Sequence, residues 1–250
     1  MSDFLNEMLK EVSKTQKELL DDNQSRSDQL VEMIEHSLYC IESFLQIEDD
    51  GDNSFFVVFE LIKKSYHTTR ALLLLCYSGF EFQCLSLIRD LIETEYLIEY
   101  FLKKPEKMVS WISSDEKTIM RNYSPKKLRK KIAADNIHYK KILDQDYSGH
   151  SKFLHVTPDL LKIQKGYNIM NNGNPNSRFA RACLSEIAYH IGPIAGTSSE
   201  LGLLFTKDKH FDKNELKLKR LTKSLKFFQM IGKLPIMEYL EKGKTFSKNI

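Results

Sequence analysis

The sequence predicts an all-α protein, a multi-helix bundle with long antiparallel helices, on three observations. Apolar residues recur at i, i+3, i+4 and i+7 over most of the chain, the spacing of one helix face. Only 10 Gly and 6 Pro occur in 250 residues, and they fall mostly outside the periodic segments, as long helices require. The segment from Glu81 to Lys104 is apolar on two opposite faces, which makes it a central helix packed on both sides.

The elements follow in order. Residues 3 to 22 place Phe4, Leu5, Met8, Leu9, Val12 and Leu19 at helical spacing, and residues 27 to 47 do so with Leu30, Ile34, Leu38, Ile41 and Leu45. Between them, Asp21-Asp22-Asn23-Gln24-Ser25 has turn and capping chemistry, so the two form a hairpin. The run Glu48 to Ser54 is an acidic linker; it lacks the alternating carboxylates and closing Glu of a calcium loop. A third helix covers about 55 to 77 and ends at Ser78-Gly79, so the central helix folds back on it through a tight turn. Pro105 starts a short helix bearing Trp111, and Pro125 starts another over Lys126 to Leu143. Gly166 to Ser177 is a loop rich in Asn, Gly and Pro, from which Ser177 caps a helix to about Phe205 with a kink at Gly192-Pro193. A last helix covers Asp212 to Met230, and the tail after Gly243 frays. The expected organisation is an acidic helical hairpin over 1 to 54, a central helical domain over 55 to 205, and a basic C-terminal helix and tail over 206 to 250 packed on the central domain.

Charge divides the chain the same way. Residues 1 to 60 hold fifteen Asp or Glu against four Lys or Arg, so with a net charge of +3 the remainder carries an excess of fourteen positive charges. The acidic helices are expected to lie against a basic body, in the same subunit or in a partner, making a protein partner or homo-oligomer through the N-terminal helices the expected assembly. The basic C-terminal half could meet nucleic acid, although the run Lys126 to Lys131 has no interleaved aromatics and reads as a solvated helix face. The opening MSDFLNEMLKEV lacks the basic and continuously apolar regions of a signal peptide. The longest apolar run, Ala71 to Tyr77, is too short to span a bilayer. The expectation is a cytoplasmic protein with no membrane contact, in which Cys40, Cys76, Cys84 and Cys183, without CxxC spacing, are reduced thiols.

Two polar groups of residues carry the functional reading. Arg89 and Glu93 stand at i, i+4 within an apolar face of the central helix, among Phe82, Leu85, Ile92, Tyr96 and Tyr100, and are expected to be buried and to need partners. Tyr147, Ser151 and His155, spaced i, i+4 and i+8 before Pro158, would share one face of a helix. LIRDLIE at 87 to 93 followed by the Tyr147 to Pro158 segment resembles a bacterial all-helical family of unknown function, in which an LLRxLxE helix precedes a YxxLSxxxHP motif. The resemblance covers residues 60 to 205, with the tight His-Pro of that motif opened here to His155-Val156-Thr157-Pro158. It implies an all-helical fold in which Arg89, Glu93 and His155 converge, and no established activity.

Three readings of these residues compete. They could satisfy one another as a network fixing helix register. They could form a ligand pocket, with Arg89, Tyr147 and His155 as binding residues. As an enzyme, Arg89, Glu93, Ser151 and His155 would be catalytic and suit phosphodiester cleavage. That last reading resembles the helical ribonucleases of toxin and antiphage systems, but the Arg-x4 to 6-His spacing of that family is missing. No metal and no cofactor is expected: no Glu-x-x-His pair of a di-iron bundle is present, and Glu186 with His190, at i, i+4, reads as a helix-surface hydrogen bond before a mononuclear site. The leading expectation is an interaction or sensing component of a bacterial defence or stress system, and the alternative is a helical ribonuclease-type toxin using Arg89, Glu93 and His155.

Overall fold

A computed structural model describes residues 3–23, 28–47, 53–134, 136–151 and 177–206. The described residues are almost entirely helical and contain no strand: α1 (Asp3–Asn23), α2 (Asp28–Leu45), α3 (Asn53–Tyr77), α4 (Glu81–Lys103), α5 (Lys107–Ile112), α6 (Glu116–Tyr123), α7 (Pro125–Ala133), α8 (Ile137–Ser151) and α9 (Ser177–Thr206). The all-α, multi-helix bundle is thus the fold observed. His155, the C-terminal segment from 207 and the expected loop from Gly166 lie outside the described residues.

Helix α9 is the axis of the core. It packs most extensively on α2, then on α4 and α3, while α4 also packs on α3, α7 and α8. Ile34, Ile41 and Phe44 of α2, Ile88, Leu91 and Ile92 of α4, and Ile187, Ile191 and Ile194 of α9 are withdrawn from water. Each such side chain contributes about 1.5–3 kcal/mol through burial. Helix α2 is therefore part of the same core as α9. Helix α1 packs on α3 and α9, and Gln16 Nε2 donates to Ser78 Oγ, just past the end of α3, at 3.1 Å.

The four cysteines are free and buried, as small apolar groups whose thiols need one acceptor each. Cys40 Sγ donates to the Ala195 carbonyl at 3.3 Å and lies 2.7 Å from Ser199 Oγ, tying α2 to α9. Cys76 Sγ donates to the Ala180 carbonyl at 3.3 Å, tying α3 to α9.

The turn between α3 and α4 is closed by backbone bonds. Phe80 N donates to Leu75 O at 2.9 Å and Gly79 N to Cys76 O at 3.3 Å, with Gly79 at φ 77°. This left-handed glycine closure ends one helix and aims the next back along it.

The structure differs from the sequence expectation at three places. Pro105 lies in the turn before α5, which begins at Lys107. A separate helix, α6, follows, with Asp115 Oδ1 accepting from Thr118 N at 2.7 Å as its cap. The single helix expected over Lys126 to Leu143 is two: the chain breaks at Ala134, φ 48°, a conformation costly for a residue with a Cβ. Asn136 then restarts it, its Oδ1 accepting from Tyr139 N at 2.9 Å. That break lets α7 and α8 pack on each other and both on α4. Helix α9 runs through Pro193, which leaves the Tyr189 carbonyl without its helical donor.

Candidate functional site

Helix α8 presents two neighbouring stripes, and each meets a different set of partners. Residues four apart share a face, so Asp146 and His150 form one stripe while Tyr147 and Ser151, about 100° further round, form the next.

The Tyr147 stripe faces the residues singled out in the sequence. Arg89 Nε donates to Glu93 Oε1 at 2.8 Å, and the Tyr147 hydroxyl donates to the same oxygen at 2.9 Å. The guanidinium carbon of Arg89 lies 4.9 Å from the Tyr147 ring centroid and that of Arg129, from α7, lies 4.2 Å from it. Arg129 is buried and donates from Nε to Asp144 Oδ1 at 2.7 Å. Arg89, Glu93 and Tyr147 are thus together, but the pair is not sealed: the side chains of Arg89 and Glu93 keep 26% and 36% of their exposure. The wheel that set them among apolar residues says nothing of how far the neighbouring helix covers them. Ser151 Oγ donates to the Tyr147 carbonyl at 2.8 Å, one turn back on its own helix, so its proton is turned away from the pair. Burial is the largest single influence on the Arg89 guanidinium and opposes its charge, but the hydrogen bond it donates to Glu93, with the charge of Glu93 and the neighbouring Tyr147, together outweigh burial and raise its pKa.

The Asp146 stripe builds a site that the sequence reading passed over. It faces α9, whose Glu186 and His190 are themselves spaced i, i+4, and one donor atom from each of Asp146, His150, Glu186 and His190 lies within 4.8 Å of the others. His150 Nε2 stands 3.1 Å from Glu186 Oε2 and 3.6 Å from Asp146 Oδ1. His190 Nε2 stands 3.7 Å from Asp146 Oδ1 and 3.8 Å from Glu186 Oε2. From α4, Glu95 Oε2 reaches His190 Nδ1 at 2.8 Å, and the Tyr96 hydroxyl donates to Asp146 Oδ2 at 3.3 Å. His190 is 1% exposed, and neither its Nε2 nor Nδ1 of His150 has a hydrogen-bond partner among the described residues. The pair Glu186 and His190, expected as a surface hydrogen bond, is one half of this cluster.

The electrostatics of the cluster are strongly coupled. Burial opposes charge on His150, and the carboxylates of Asp146 and Glu186 overcome it, raising its pKa to about 9. Burial likewise opposes charge on His190, and Glu95, Asp146 and Glu186 raise it. Burial raises Glu95 in spite of His190, so both trends retain a proton between Nδ1 and Oε2. For Asp146 burial works upward and the two imidazoles with Tyr96 prevail, holding its carboxyl below the usual range.

A cleft of about 460 Å³ opens beside the cluster between α4, α8 and α9. Glu95, Asp146 and His190 lie in its wall together with Glu99, Tyr139 and Tyr189, and among the described residues no Lys or Arg lines it. Glu99 accepts from Lys103 Nζ at 2.8 Å and from the Tyr139 hydroxyl at 3.3 Å. The donor set of two imidazoles and two carboxylates is of the type that coordinates first-row divalent metals.

No protein-family model, curated protein or solved structure matches this chain. No described helix is long and apolar enough to cross a membrane.

Two outcomes follow for the two stripes. Arg89→Ala should lower stability to urea by about 0.5–1.5 kcal/mol, the value of a half-exposed pair with a cation–π contact; a loss above roughly 3 kcal/mol would show a sealed network instead. The folded pKa of His150, about 9, lies above the ordinary histidine value. In the metal-free protein its stabilisation is therefore fully present below pH ~6.5 and lost as pH rises through 9, with Asp146, Glu186, His190, Glu95 and Tyr96 as the surrounding titratable groups. Between pH 6.5 and 9.5 the parent should lose on the order of 3 kcal/mol more than His150→Gln, and equal losses in urea unfolding would contradict the charged assignment.

Proposed function

We propose that the protein is a sensing or interaction module that binds a positively charged ligand in the cleft between α4, α8 and α9. The observation that carries this reading is the lining of the cleft: three carboxylates, Glu95, Glu99 and Asp146, among the rings of Tyr96, Tyr139 and Tyr189, against one imidazole, His190, and no Lys or Arg among the described residues. Carboxylates set in low-dielectric walls concentrate cations, and tyrosine rings add attraction for organic ammonium groups. The same lining repels phosphate, which speaks against cleavage of RNA in this cleft. Arg89, the residue that a ribonuclease would aim at phosphate, already has Glu93 as its counter-ion. Occupancy would be communicated by drawing together three helices that otherwise hold five titratable groups at close quarters.

Thermal unfolding of the full chain with and without ligands tests this. A cation at about one hundred times its dissociation constant stabilises by ~2.7 kcal/mol, a shift of several degrees for a chain of this size. Spermidine or a divalent metal chloride should give such a shift and Glu99→Gln should reduce the response to spermidine, whereas AMP and inorganic phosphate should have none. If neither cation class moves the transition, the reading fails. RNA degradation lost in Arg89→Lys and His155→Ala would establish the ribonuclease in its place.

A further inference from the structure

We infer that Asp146, His150, Glu186 and His190 form a mononuclear site for a first-row divalent transition metal, with Zn2+ the best geometric match. The inference rests on the cation-binding reading of the cleft and names the cation. Its first support is distance. A tetrahedral ion with bonds of about 2.0–2.2 Å separates its ligand atoms by roughly 3.3–3.6 Å. The four nitrogen-to-oxygen separations across the cluster are 3.1, 3.6, 3.7 and 3.8 Å. The nitrogen–nitrogen and oxygen–oxygen separations are within 4.8 Å, so closing onto an ion draws the side chains together by up to about 1 Å.

The second support is an orphaned atom. His190 Nε2 is buried without a hydrogen-bond partner among the described residues and stands near oxygens of Asp146 and Glu186. Buried polar atoms of this kind are rare because each costs free energy that a partner would return. Glu95 explains the orientation: its contact with Nδ1, 2.8 Å, fixes the ring and turns Nε2 towards the cluster, where a bound ion would take the place of the Nε2 proton. Metal-bound histidines are held in this way by a carboxylate on the far nitrogen. Tyr96 does the same for Asp146, occupying Oδ2 and leaving Oδ1 towards the imidazoles.

The third support is chemistry and access. Two imidazoles select transition ions over Mg2+ and Ca2+, which prefer all-oxygen sites. Asp146 and His190 both face the cleft, so an ion can enter from it and exchange water or ligand there. Glu95 is a positioning residue, acting through His190.

The test uses the untagged full chain, stripped with chelator and titrated by calorimetry with ZnCl2 and MgCl2, and with CoCl2 followed by visible absorption. The expected result is one Zn2+ per chain, a Co2+ spectrum of four-coordinate type, and no Mg2+ uptake. Glu186→Gln, whose side chain is 38% exposed, should keep the fold by circular dichroism yet bind Zn2+ at least tenfold more weakly. Glu95→Gln should weaken Zn2+ by roughly 10–100-fold and alter the Co2+ spectrum. Zn2+ affinity unchanged in folded Glu186→Gln and His190→Gln proteins, or no stoichiometric uptake, would overturn the site. Stabilisation by spermidine without metal uptake would also overturn it while leaving the cleft reading intact, and failure of both would remove the two together.

Discussion

The convergence of two buried imidazoles and three partly buried carboxylates where α4, α8 and α9 meet is the constraint on which the rest of the structure depends. Charged groups taken out of water cost several kcal/mol each unless matched in sign and geometry. Here the match requires three helices in one register, because Glu95, the Asp146–His150 pair and the Glu186–His190 pair come from different elements. The apolar layer behind supplies the driving force: Ile187, Ile191 and Ile194 on α9 and Leu91, Ile92 and Ile98 on α4 are essentially without exposure. Hydrophobic burial sets how closely α9 approaches, and the polar cluster sets which residues face one another when it does.

The break between α7 and α8 is part of the same solution. A single straight helix from Pro125 would hold Arg129 and Tyr147 about five turns, ~27 Å, apart, whereas the turn at Ala134 folds α8 back on α7 and brings the Arg129 guanidinium onto the Tyr147 ring. Tyr147 then joins the two regions: its ring lies under Arg89 and Arg129, while its chain neighbour Asp146 enters the buried cluster. Tyr96 and Tyr147 sit with ring centroids 6.5 Å apart between the half-exposed Arg89 surface and the cleft. A change at one side of α8 is therefore felt at the other through adjacent residues of one helix.

Much of this fold could be read in the sequence. The two-faced apolar pattern of Glu81 to Lys104 and the Ser78-Gly79 stop led directly to the α3–α4 hairpin, since both are local signals. The Ala134 break has no such signal: alanine ordinarily extends a helix, and Leu128, Ile132 and Leu143 keep helical spacing across it. Arg89, Glu93 and Tyr147 were legible as a group because i, i+4 spacing reports which residues share a face. Their half-exposure was not, since periodicity does not say how much a neighbouring helix covers. Asp146 and His150 have the same spacing as Tyr147 and Ser151 and differ only in phase. What distinguishes them is the approach of Glu186 and His190 some forty residues on, a tertiary contact that spacing within α8 does not encode. Two carboxylate–histidine pairs at i, i+4 in one chain were the available signal.

The central claim is that the buried cluster beside the cleft holds a cation, and a crystal of the full chain grown with ZnCl2 tests it most directly. Anomalous diffraction measured on both sides of the zinc absorption edge should place one ion per chain within about 2.0–2.2 Å of His150 Nε2, His190 Nε2 and oxygens of Asp146 and Glu186. Zinc found only at surface histidines, with His190 Nε2 left facing carboxylates and no ion among them, would contradict it.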